Sequence, residues 1–234
     1  MTDDEIRELF GEAPYFVDQV IEQYVPLDET AQKFVVSSYW SDQASVNLGD
    51  VCGTMHPDYA GMTWREFLSK GRRMAGNQDA FRRNPGYYTD AFIKRVPSMH
   101  FIRRDGKTFV GEDGNHRTCI GKLYFYNSGN VYIHQVTLIE QTVDWRFYTL
   151  YQRLAAVRPD SWRIDIRREN NRREDGPGWK RDFYDIRIAI SDLNHKDHSR
   201  TDRWDCAELA EKLPKLEMSA KKPAAKGFFG RLFK

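Results

Sequence analysis

The sequence predicts an α+β fold in which a small mixed sheet is flanked by helices, and the middle of the chain predicts it most clearly. Residues 99–103 and 108–110 are short apolar runs joined by Asp105-Gly106, a dipeptide typical of a tight β-hairpin turn. From 117–126 the apolar residues recur at helical spacing, and 131–140 then has the composition of a strand. We therefore expect strand, hairpin turn, strand, tight turn, helix and strand in this order.

The N-terminal region predicts helices and leaves one segment open. Apolar residues within 6–10 and 16–24 recur at helical spacing on either side of a glycine and a proline, which predicts two short helices. The β-branched and aromatic run 34–40 fits either a strand or a helix. Alternating apolar residues within 46–51 predict a further strand.

Residues 63–94 predict a helical region interrupted by turns. Thr63 can act as the N-cap of a helix over 64–74, because an acidic residue follows three positions later, as in a capping box. Gly76 is expected to stop this helix. The segment 79–94 predicts helix, turn and helix about Asn84-Pro85-Gly86.

The C-terminal third predicts a mixed α/β region. Aromatic and apolar residues within 144–157 recur at helical spacing up to a proline, which predicts a helix. Alternation predicts strands over 162–166 and 183–190, separated by a polar loop at 167–181. A final short helix is expected to begin at Thr201 or Asp202 and to end at Leu213.

The bulk composition indicates a folded protein of the cytoplasm. Of the 234 residues, 40% are apolar and 14% aromatic, and the formal net charge of +2 is too small to indicate an acidic partner. The three cysteines are far apart and do not have metal-ligand spacing, which favours a reducing compartment. The acidic N-terminus does not resemble a secretory signal, and no apolar run is long enough to span a membrane.

A glycine-rich turn between the strand that ends at Val110 and the following helix is the strongest functional signal. Free backbone N–H groups and the positive end of the helix dipole attract anions, of which phosphate is the natural one. Gly111 and Gly114 allow the backbone to approach a ligand closely or to adopt positive φ. Arg117 can add a bidentate contact to phosphate oxygens, and His116 can donate a hydrogen bond or transfer a proton.

A purely structural interpretation of this turn is also open. It could be a tight connection in which Asp113 or Asn115 caps the helix. His116 and Arg117 stand side by side at the start of the helix, and a structural turn needs neither of them. Their presence favours the anion-binding interpretation.

Residues 109–118, Phe-Val-Gly-Glu-Asp-Gly-Asn-His-Arg-Thr, followed by a helix and a strand, resemble the nucleotide-binding motif of the ParB/sulfiredoxin superfamily. In that superfamily a D-G-x-x-R type turn after a hairpin holds the phosphates of ATP or CTP. The resemblance covers residues 97–140, and more loosely 44–140. It implies a ParB/sulfiredoxin-like sheet and a nucleoside triphosphate as the ligand.

The resemblance also implies roles for individual residues. The nucleotide-binding residues would be Gly111, Gly114, Asn115, His116, Arg117 and Thr118. Either Glu112 or Asp113 would be the acidic residue near a metal ion or water, which makes both carboxylates candidate ligands of Mg²⁺. The candidate catalytic residues are then Glu112, Asp113, His116 and Arg117.

The sequence departs from two branches of the superfamily and is similar to a third. Sulfiredoxins carry a catalytic cysteine in the turn, where this chain has Asn115, and Cys119 lies on the following helix, so sulfinic acid reduction is not expected. The residues after 144 do not resemble the segregation domains of ParB proteins. Plasmid-encoded fertility inhibition proteins, including the oncogenic suppression protein, are similar in size and in this motif. That group implies ATP hydrolysis and DNA cleavage directed against DNA leaving through a type IV secretion channel.

Two basic clusters are candidate DNA contacts. The first comprises Arg72, Arg73, Arg82, Arg83, Lys94 and Arg95, and it is preferred because it lies near the turn in the sequence. The second comprises Arg167, Arg168, Arg172 and Arg173, with tryptophans nearby. Acidic residues are interspersed in the second cluster, so a solvated, internally paired surface is an equal alternative there.

These observations predict four segments: an N-terminal helical extension (1–43), a nucleotide-binding core (44–143), a C-terminal addition (144–213) and a flexible basic tail (214–234). Residues 221–234 combine aromatic and cationic side chains, so the tail could contact the inner face of a bacterial membrane weakly or dock on a partner, and disorder is an equal alternative.

The leading functional hypothesis is a Mg²⁺-dependent ATPase that cleaves or processes DNA. The first alternative is a nucleotide-gated protein, switched by ATP or CTP, that binds DNA or a partner without cleavage. A third hypothesis is an inactive module whose tail blocks a type IV secretion or coupling component.

Overall fold

The computed structural model describes residues 1–194 and 201–220. Within these residues the chain is an α+β protein with eight helices and nine strands, which confirms the predicted class. In chain order the helices are α1 (Asp3–Phe10), α2 (Glu29–Gln32), α3 (Trp64–Lys70), α4 (Met74–Arg83), α5 (Gly86–Thr89), α6 (Asn115–Ser128), α7 (Trp145–Val157) and α8 (Cys206–Ala220). The strands are β1 (Glu22–Gln23), β2 (Val35–Asn47), β3 (Val51–Thr54), β4 (His100–Arg104), β5 (Lys107–Val110), β6 (Tyr132–Val143), β7 (Trp162–Gly176), β8 (Trp179–Asp192) and β9 (Thr201–Trp204).

The chain divides into two compact units, each built from separate stretches of sequence. Unit 1 contains Met1–Pro26, Ser38–Thr142 and Arg173–Asp182. Unit 2 contains Leu27–Ser37, Val143–Arg172 and Phe183–Lys234. The predicted tail residues 221–234 lie outside the described part of the chain.

The sheet of unit 1 has the strand order β1-β3-β5-β4-β6-β2. β4 and β5 form the predicted antiparallel hairpin, and Asp105 and Gly106 both have positive φ, as a type I′ turn requires. β6 runs parallel to β4, with Ile102 opposite Ile139, and α6 connects β5 to β6. β3 lies parallel on the other side of β5. The turn that follows β5 therefore lies at the C-terminal end of this strand, where α6 begins.

α6 is the central helix of unit 1. Cys119, Ile120 and Leu123 are fully buried, and the helix packs against α1, α3 and α4. Lys122 is also buried, and its ammonium donates to the backbone oxygens of Leu48, Gly49 and Val51 at 2.8 to 3.2 Å. The helix therefore contacts protein on most of its surface, and its N-terminus is held in a fixed position.

Unit 2 has its own core, formed by α7, α8 and the strands β7 to β9. α7 begins where the sequence predicts, because the Asp144 side chain accepts a hydrogen bond from the N–H of Phe147. β8 lies between β7 and β9. Trp162 and Leu209 are among the fully buried side chains of this core.

Several predicted elements of the N-terminal half are wrong in type or extent. The second predicted helix, 16–24, is instead irregular chain ending in β1, whose backbone pairs with β3. The predicted helix over 64–74 ends at Lys70, because Arg73 is left-handed (φ 69°) and redirects the chain into α4, which contains Gly76. After α5 the segment 90–99 has no regular structure, so the second helix expected within 79–94 is only one turn long.

The C-terminal half also differs from the prediction. The expected loop 167–181 is the outer part of a long hairpin, since β7 and β8 continue to a turn at Gly178 (φ 77°). Its residues are mostly charged, so the sequence lacks the alternation of apolar residues that predicts a strand. Thr201–Trp204 is a strand rather than the start of a helix. α8 continues through Pro214 to Ala220, because Leu209, Leu213 and Leu216 form one buried stripe. Residues 214–220 therefore belong to this helix and not to a tail.

Among residues 1–194 and 201–220, no helix combines the length and the apolarity required to cross a membrane.

Candidate functional site

The turn between β5 and α6 is held by backbone hydrogen bonds to the start of β4. The N–H of Gly111 donates to the oxygen of His100 at 2.7 Å, and the N–H of His100 donates to the oxygen of Asp113 at 2.9 Å. Gly114 is the N-cap residue with φ 109°, and a side chain there would lie 3.1 Å from Cβ of Met99. Gly114 therefore meets both requirements for glycine, positive φ and close approach, whereas Gly111 is only a tight fit against His100.

The first turn of α6 presents unpaired backbone donors. The helix has no side-chain cap, and its first repeating bond runs from the N–H of Thr118 to the oxygen of Gly114 at 2.7 Å. The N–H groups of Asn115, His116 and Arg117 have no backbone or side-chain acceptor within the described residues. A 14-residue helix with such an end attracts anions.

Arg117 is the best-connected side chain at this helix end. Its Nη1 donates to the Tyr87 hydroxyl at 2.9 Å and to the oxygen of Pro97 at 2.7 Å. Its Nη2 lies 3.1 Å from Oδ1 of Asp113, and only 15% of the side chain is exposed. Oδ1 of Asp113 also accepts a hydrogen bond from the N–H of Gly114. One carboxylate thus contacts both the arginine and the backbone at the start of the helix.

A cleft of about 600 Å³ opens beside this ion pair, which is a size suited to a small-molecule ligand. Three arginines and one carboxylate line it, so its lining carries a net positive formal charge. Its lining residues include Arg73, Asn77, Arg83, Asn84, Tyr87, Pro97, Asp113 and Arg117. Arg73 and Arg83 are exposed and form no ion pair with any described residue, so both guanidinium groups are available to an anion.

His116 is half-buried and already has a partner. Its Nε2 makes a short hydrogen bond to the backbone oxygen of Arg72, and its ring packs on Phe67 and Tyr59. Burial lowers the pKa of His116 more than the hydrogen bond to Arg72 raises it. The neutral ring with a proton on Nε2 fits this geometry, so the predicted proton-transfer role would require that bond to break.

Glu112 and Asp113 differ in their surroundings, although both were expected to bind Mg²⁺. The Glu112 side chain is 83% exposed, and Nδ1 of His100 lies 3.8 Å from its carboxylate. Asp113 is engaged by Arg117 and Gly114. Within the described residues, no three His, Cys, Asp or Glu side chains lie close enough to hold a metal ion. The described residues of this turn therefore offer Mg²⁺ one well exposed carboxylate, that of Glu112, and do not form a ligand set of their own.

Asn115 and Thr118, expected to line the phosphates, are both buried. Oδ1 of Asn115 accepts a 2.6 Å hydrogen bond from the hydroxyl of Thr54, at the end of β3. The Thr118 hydroxyl is fully buried and lacks a hydrogen-bond partner within the described residues. The Asn115 side chain therefore links the start of the helix to β3, and both side chains are buried in the protein.

The first basic cluster is largely exposed, with one exception. Arg72, Arg73, Arg82, Arg83 and Lys94 are exposed, and Arg82 pairs with Asp79 at 2.8 Å. Arg95 is only 1% exposed, and its guanidinium donates to the backbone oxygens of Tyr87, Tyr88, Asp90, Ile93 and His134. The prediction that Arg95 contacts DNA is therefore wrong, because its guanidinium is buried and its hydrogen bonds link separate segments of unit 1.

The second basic cluster is mostly engaged with its own neighbours, as the alternative interpretation expected. Arg173 makes a two-pronged contact to Asp182, with the closer bond at 2.7 Å. Arg167 pairs with Asp165 at 2.9 Å. Arg168 lies 3.3 Å from the ring centre of Tyr184, and Arg172 lies 4.0 Å from that of Phe183.

Sequence reasoning missed Tyr87, Pro97 and Asn77 as parts of the cleft. Tyr87 and Pro97 contact Arg117 directly, and Asn77 lies one turn into α4. The sequence did contain one indication of them, the aromatic pair that follows Asn84-Pro85-Gly86 within the basic cluster. Aromatic and cationic residues together are typical of surfaces that bind nucleic acid.

Comparisons with protein-family models, with curated proteins and with solved structures found no match to this chain.

Proposed function

We propose that the cleft beside the β5–α6 turn binds a nucleoside triphosphate, and that the chain uses this nucleotide, with Mg²⁺, to act on DNA. The single observation that carries the proposal is that Arg73, Arg83 and Arg117 line one cleft at the unpaired N-terminus of α6. Three guanidinium groups and free N–H donors together suit a polyphosphate better than a single carboxylate ligand.

We further propose that unit 1 has a ParB/sulfiredoxin-like fold. Three features support this assignment: the antiparallel hairpin of β4 and β5, the helix α6 that connects β5 to β6, and the parallel pairing of β6 with β4. The segment that resembles the superfamily motif, residues 109–118, spans the end of β5, the turn and the start of α6. The proposed ligand is therefore ATP or CTP.

Different residues of the cleft would contact different parts of the nucleotide. Arg73 and Arg83 hold the outer phosphates, because their side chains are exposed and have no competing ion pair within the described residues. The N–H groups at the start of α6 and the Arg117 guanidinium hold the phosphate nearest the turn. Tyr87 offers an aromatic ring at the cleft wall for the base or sugar. A Mg²⁺ ion bound beside Glu112 would neutralise phosphate charge when present.

DNA would bind over the exposed part of the first basic cluster, Arg72, Arg82 and Lys94, which adjoins the cleft in sequence. Such contacts are to phosphates and carry affinity rather than sequence preference. The resemblance of residues 109–118 to fertility inhibition proteins supports cleavage of DNA in the cytoplasm and an action against type IV secretion or its coupling component.

The binding proposal is tested by isothermal titration calorimetry with ATP and with CTP. Arg73→Gln and Arg83→Gln should each weaken binding about tenfold without changing the free energy of unfolding, because both side chains are exposed. Arg7→Gln serves as the control. Arg7 is a residue of α1 that pairs with Glu12, and it does not line the cleft. Equal affinities in all four proteins would refute a nucleotide site in this cleft.

A nucleotide-gated protein without cleavage is the second candidate, and one observation favours it. The groups expected to perform chemistry are engaged with protein partners: Asp113 with Arg117, and His116 with the oxygen of Arg72. Plasmid nicking and phosphate release with Mg²⁺ separate the two candidates. Turnover that Glu112→Ala abolishes supports the enzyme, whereas nucleotide-dependent DNA affinity without turnover supports the gate.

A further inference from the structure

We propose that Asp113 is a built-in competitor of phosphate: its carboxylate occupies the position at Arg117 and at the start of α6 that a ligand phosphate would take. This inference rests on the proposed function, since it concerns the regulation of the same site. It assigns Asp113 to control of nucleotide affinity, which is a different role from the metal binding expected from the sequence.

The hydrogen-bond geometry of Arg117 carries the first step. Both N–H groups of Nη1 are used, by the Tyr87 hydroxyl and the oxygen of Pro97. Nη2 has its closest contact with Oδ1 of Asp113 at 3.1 Å, and the oxygen of Ser98 is at the outer limit, 3.5 Å. A phosphate that reaches the end of this guanidinium must therefore take the place of Asp113.

The same carboxylate blocks the backbone donor at the start of the helix. Oδ1 of Asp113 accepts the N–H of Gly114, which lies directly before the unpaired N–H groups of Asn115 and His116. Placing a phosphate there beside an ionised carboxylate would bring two anions into contact, and like charges at such a distance repel strongly. The carboxylate and the phosphate are therefore mutually exclusive.

The Asp113 side chain can leave without disturbing the turn. Its backbone oxygen is fixed by the N–H of His100 at 2.9 Å, so the main chain stays in place when the side chain rotates. Almost half of the side chain, 47%, is exposed, and rotation would carry the carboxylate into water. Arg73 and Arg83 then remain on the cleft as cations for the arriving ligand.

The consequence is a threshold for binding. Nucleotide must displace the carboxylate, so a ligand with several phosphates, which also contacts Arg73 and Arg83, binds far better than a single phosphate does. Free inorganic phosphate, which has only one phosphate group, is rejected. The competitor thus selects for polyphosphates.

The test is the substitution Asp113→Asn, measured by calorimetry with sodium tripolyphosphate and with ATP, both in EDTA to remove metal ions. Asparagine keeps an oxygen to accept the N–H of Gly114 but has no charge to pair with Arg117. We expect affinity for both probes to rise at least about fivefold, and binding of inorganic phosphate to become measurable, because an ion pair of this exposure is worth roughly 1 kcal/mol.

Asp79→Asn is the matched control. It also removes one carboxylate from an arginine pair, Asp79–Arg82, whose aspartate has an exposure close to that of Asp113, and neither residue lines the cleft. It should leave the affinities within a factor of two. Thermal unfolding of both variants checks that the fold is intact.

The outcomes distinguish the two proposals. If the wild type binds ATP and Asp113→Asn binds it equally or more weakly, the competitor is refuted and the nucleotide site stands. An equal gain in Asp79→Asn would show a general charge effect and would also refute the competitor. If neither the wild type nor Asp113→Asn binds tripolyphosphate or ATP, the nucleotide site itself is refuted.

Discussion

The hydroxyl of Thr54 donates a 2.6 Å hydrogen bond to the side-chain oxygen of Asn115, which ties the end of β3 to the first residue of α6. Both side chains are buried, at 1% and 8% exposure. The Thr54 oxygen in turn accepts the N–H of His56 at 2.9 Å. The position of the helix start is therefore fixed from two strands, β5 through the turn and β3 through this bond.

This link predicts a stability effect for Asn115. Asn115→Ala should lower the free energy of unfolding by about 2 kcal/mol, because it leaves a buried hydroxyl without an acceptor. Thr54→Val should cost at least as much, since it leaves the buried oxygen of Asn115 without a donor and the N–H of His56 without an acceptor. Urea unfolding of the two single variants and the double variant gives a coupling energy of about 1 kcal/mol if the bond contributes as described. Additive effects would contradict it.

Arg95 and Lys94 are neighbours in the sequence, but their substitutions are expected to affect the free energy of unfolding very differently. Arg95→Met should cost about 3 kcal/mol, because several buried carbonyl groups lose their donor, and it should leave DNA affinity unchanged while the protein is folded. Lys94→Met should change stability by less than about 0.5 kcal/mol, since its side chain is exposed. If Arg95→Met weakens DNA binding without loss of stability, the buried role assigned to Arg95 is wrong. Chemical unfolding and fluorescence anisotropy measure the two quantities.

Gly114 is expected to be essential for both stability and binding. Gly114→Ala forces a side chain into the left-handed region and against Met99, and should cost about 2 kcal/mol. Gly129→Ala at the other end of α6 is the control, because Gly129 also has a positive φ, 73°, and a side chain there would have no neighbour within 4 Å. It should cost only about 1 kcal/mol, and ATP affinity by calorimetry should fall in Gly114→Ala alone. Equal losses of stability would mean that Met99 adds no constraint.

Lys122 predicts a pH dependence of stability. Burial lowers its pKa from the ordinary value of 10.5 to about 8, while the unfolded chain keeps the ordinary value. Between these two pH values the unfolded state binds more protons, so this group makes the protein more stable as pH rises from 8 to 10.5. Below pH 8 the cost of burying the charge is present in full.

The measurement compares the wild type with Lys122→Met across that range. The unfolding free energy of the wild type relative to the variant should rise by about 3 kcal/mol between pH 8 and pH 10.5. Tyr88 and Cys119, whose pKa values burial raises, act in the opposite direction, but both proteins contain them. A difference that is constant with pH would show that Lys122 is not desolvated in the folded state.

The order of elements around the turn could be predicted from the sequence because each signal there is local. The Asp105-Gly106 dipeptide defines its own hairpin, and the Thr63 capping box lies within four residues. The extent of α8 and of the hairpin β7–β8 could not be predicted. A buried leucine stripe overrides Pro214 in the helix, and the outer residues of the hairpin are mostly charged and exposed, so that no alternation of apolar residues indicates a strand there.

The candidate site was predicted in its backbone and not in its side chains. The glycines and the helix start follow from residue types alone, whereas the partners of Arg117 come from residues 20 and 30 positions earlier in the chain. Likewise, nothing in the residue type distinguishes Arg95, which is buried, from Arg83, which is exposed on the cleft. Packing between residues distant in sequence determines which arginine is exposed, and the spacing of residues in the sequence does not predict it.

The burial of α6 has a consequence for how conservation among homologues would be interpreted. A methyl group on Gly121 would lie 2.7 Å from Cδ1 of Leu48, so this helix tolerates few substitutions whatever the turn binds. Conservation along 114–125 would thus reflect packing and ligand binding without separating them. Arg73 and Arg83 are exposed and support no packing, so arginine retained at these two positions across divergent sequences would mark selection for the ligand itself.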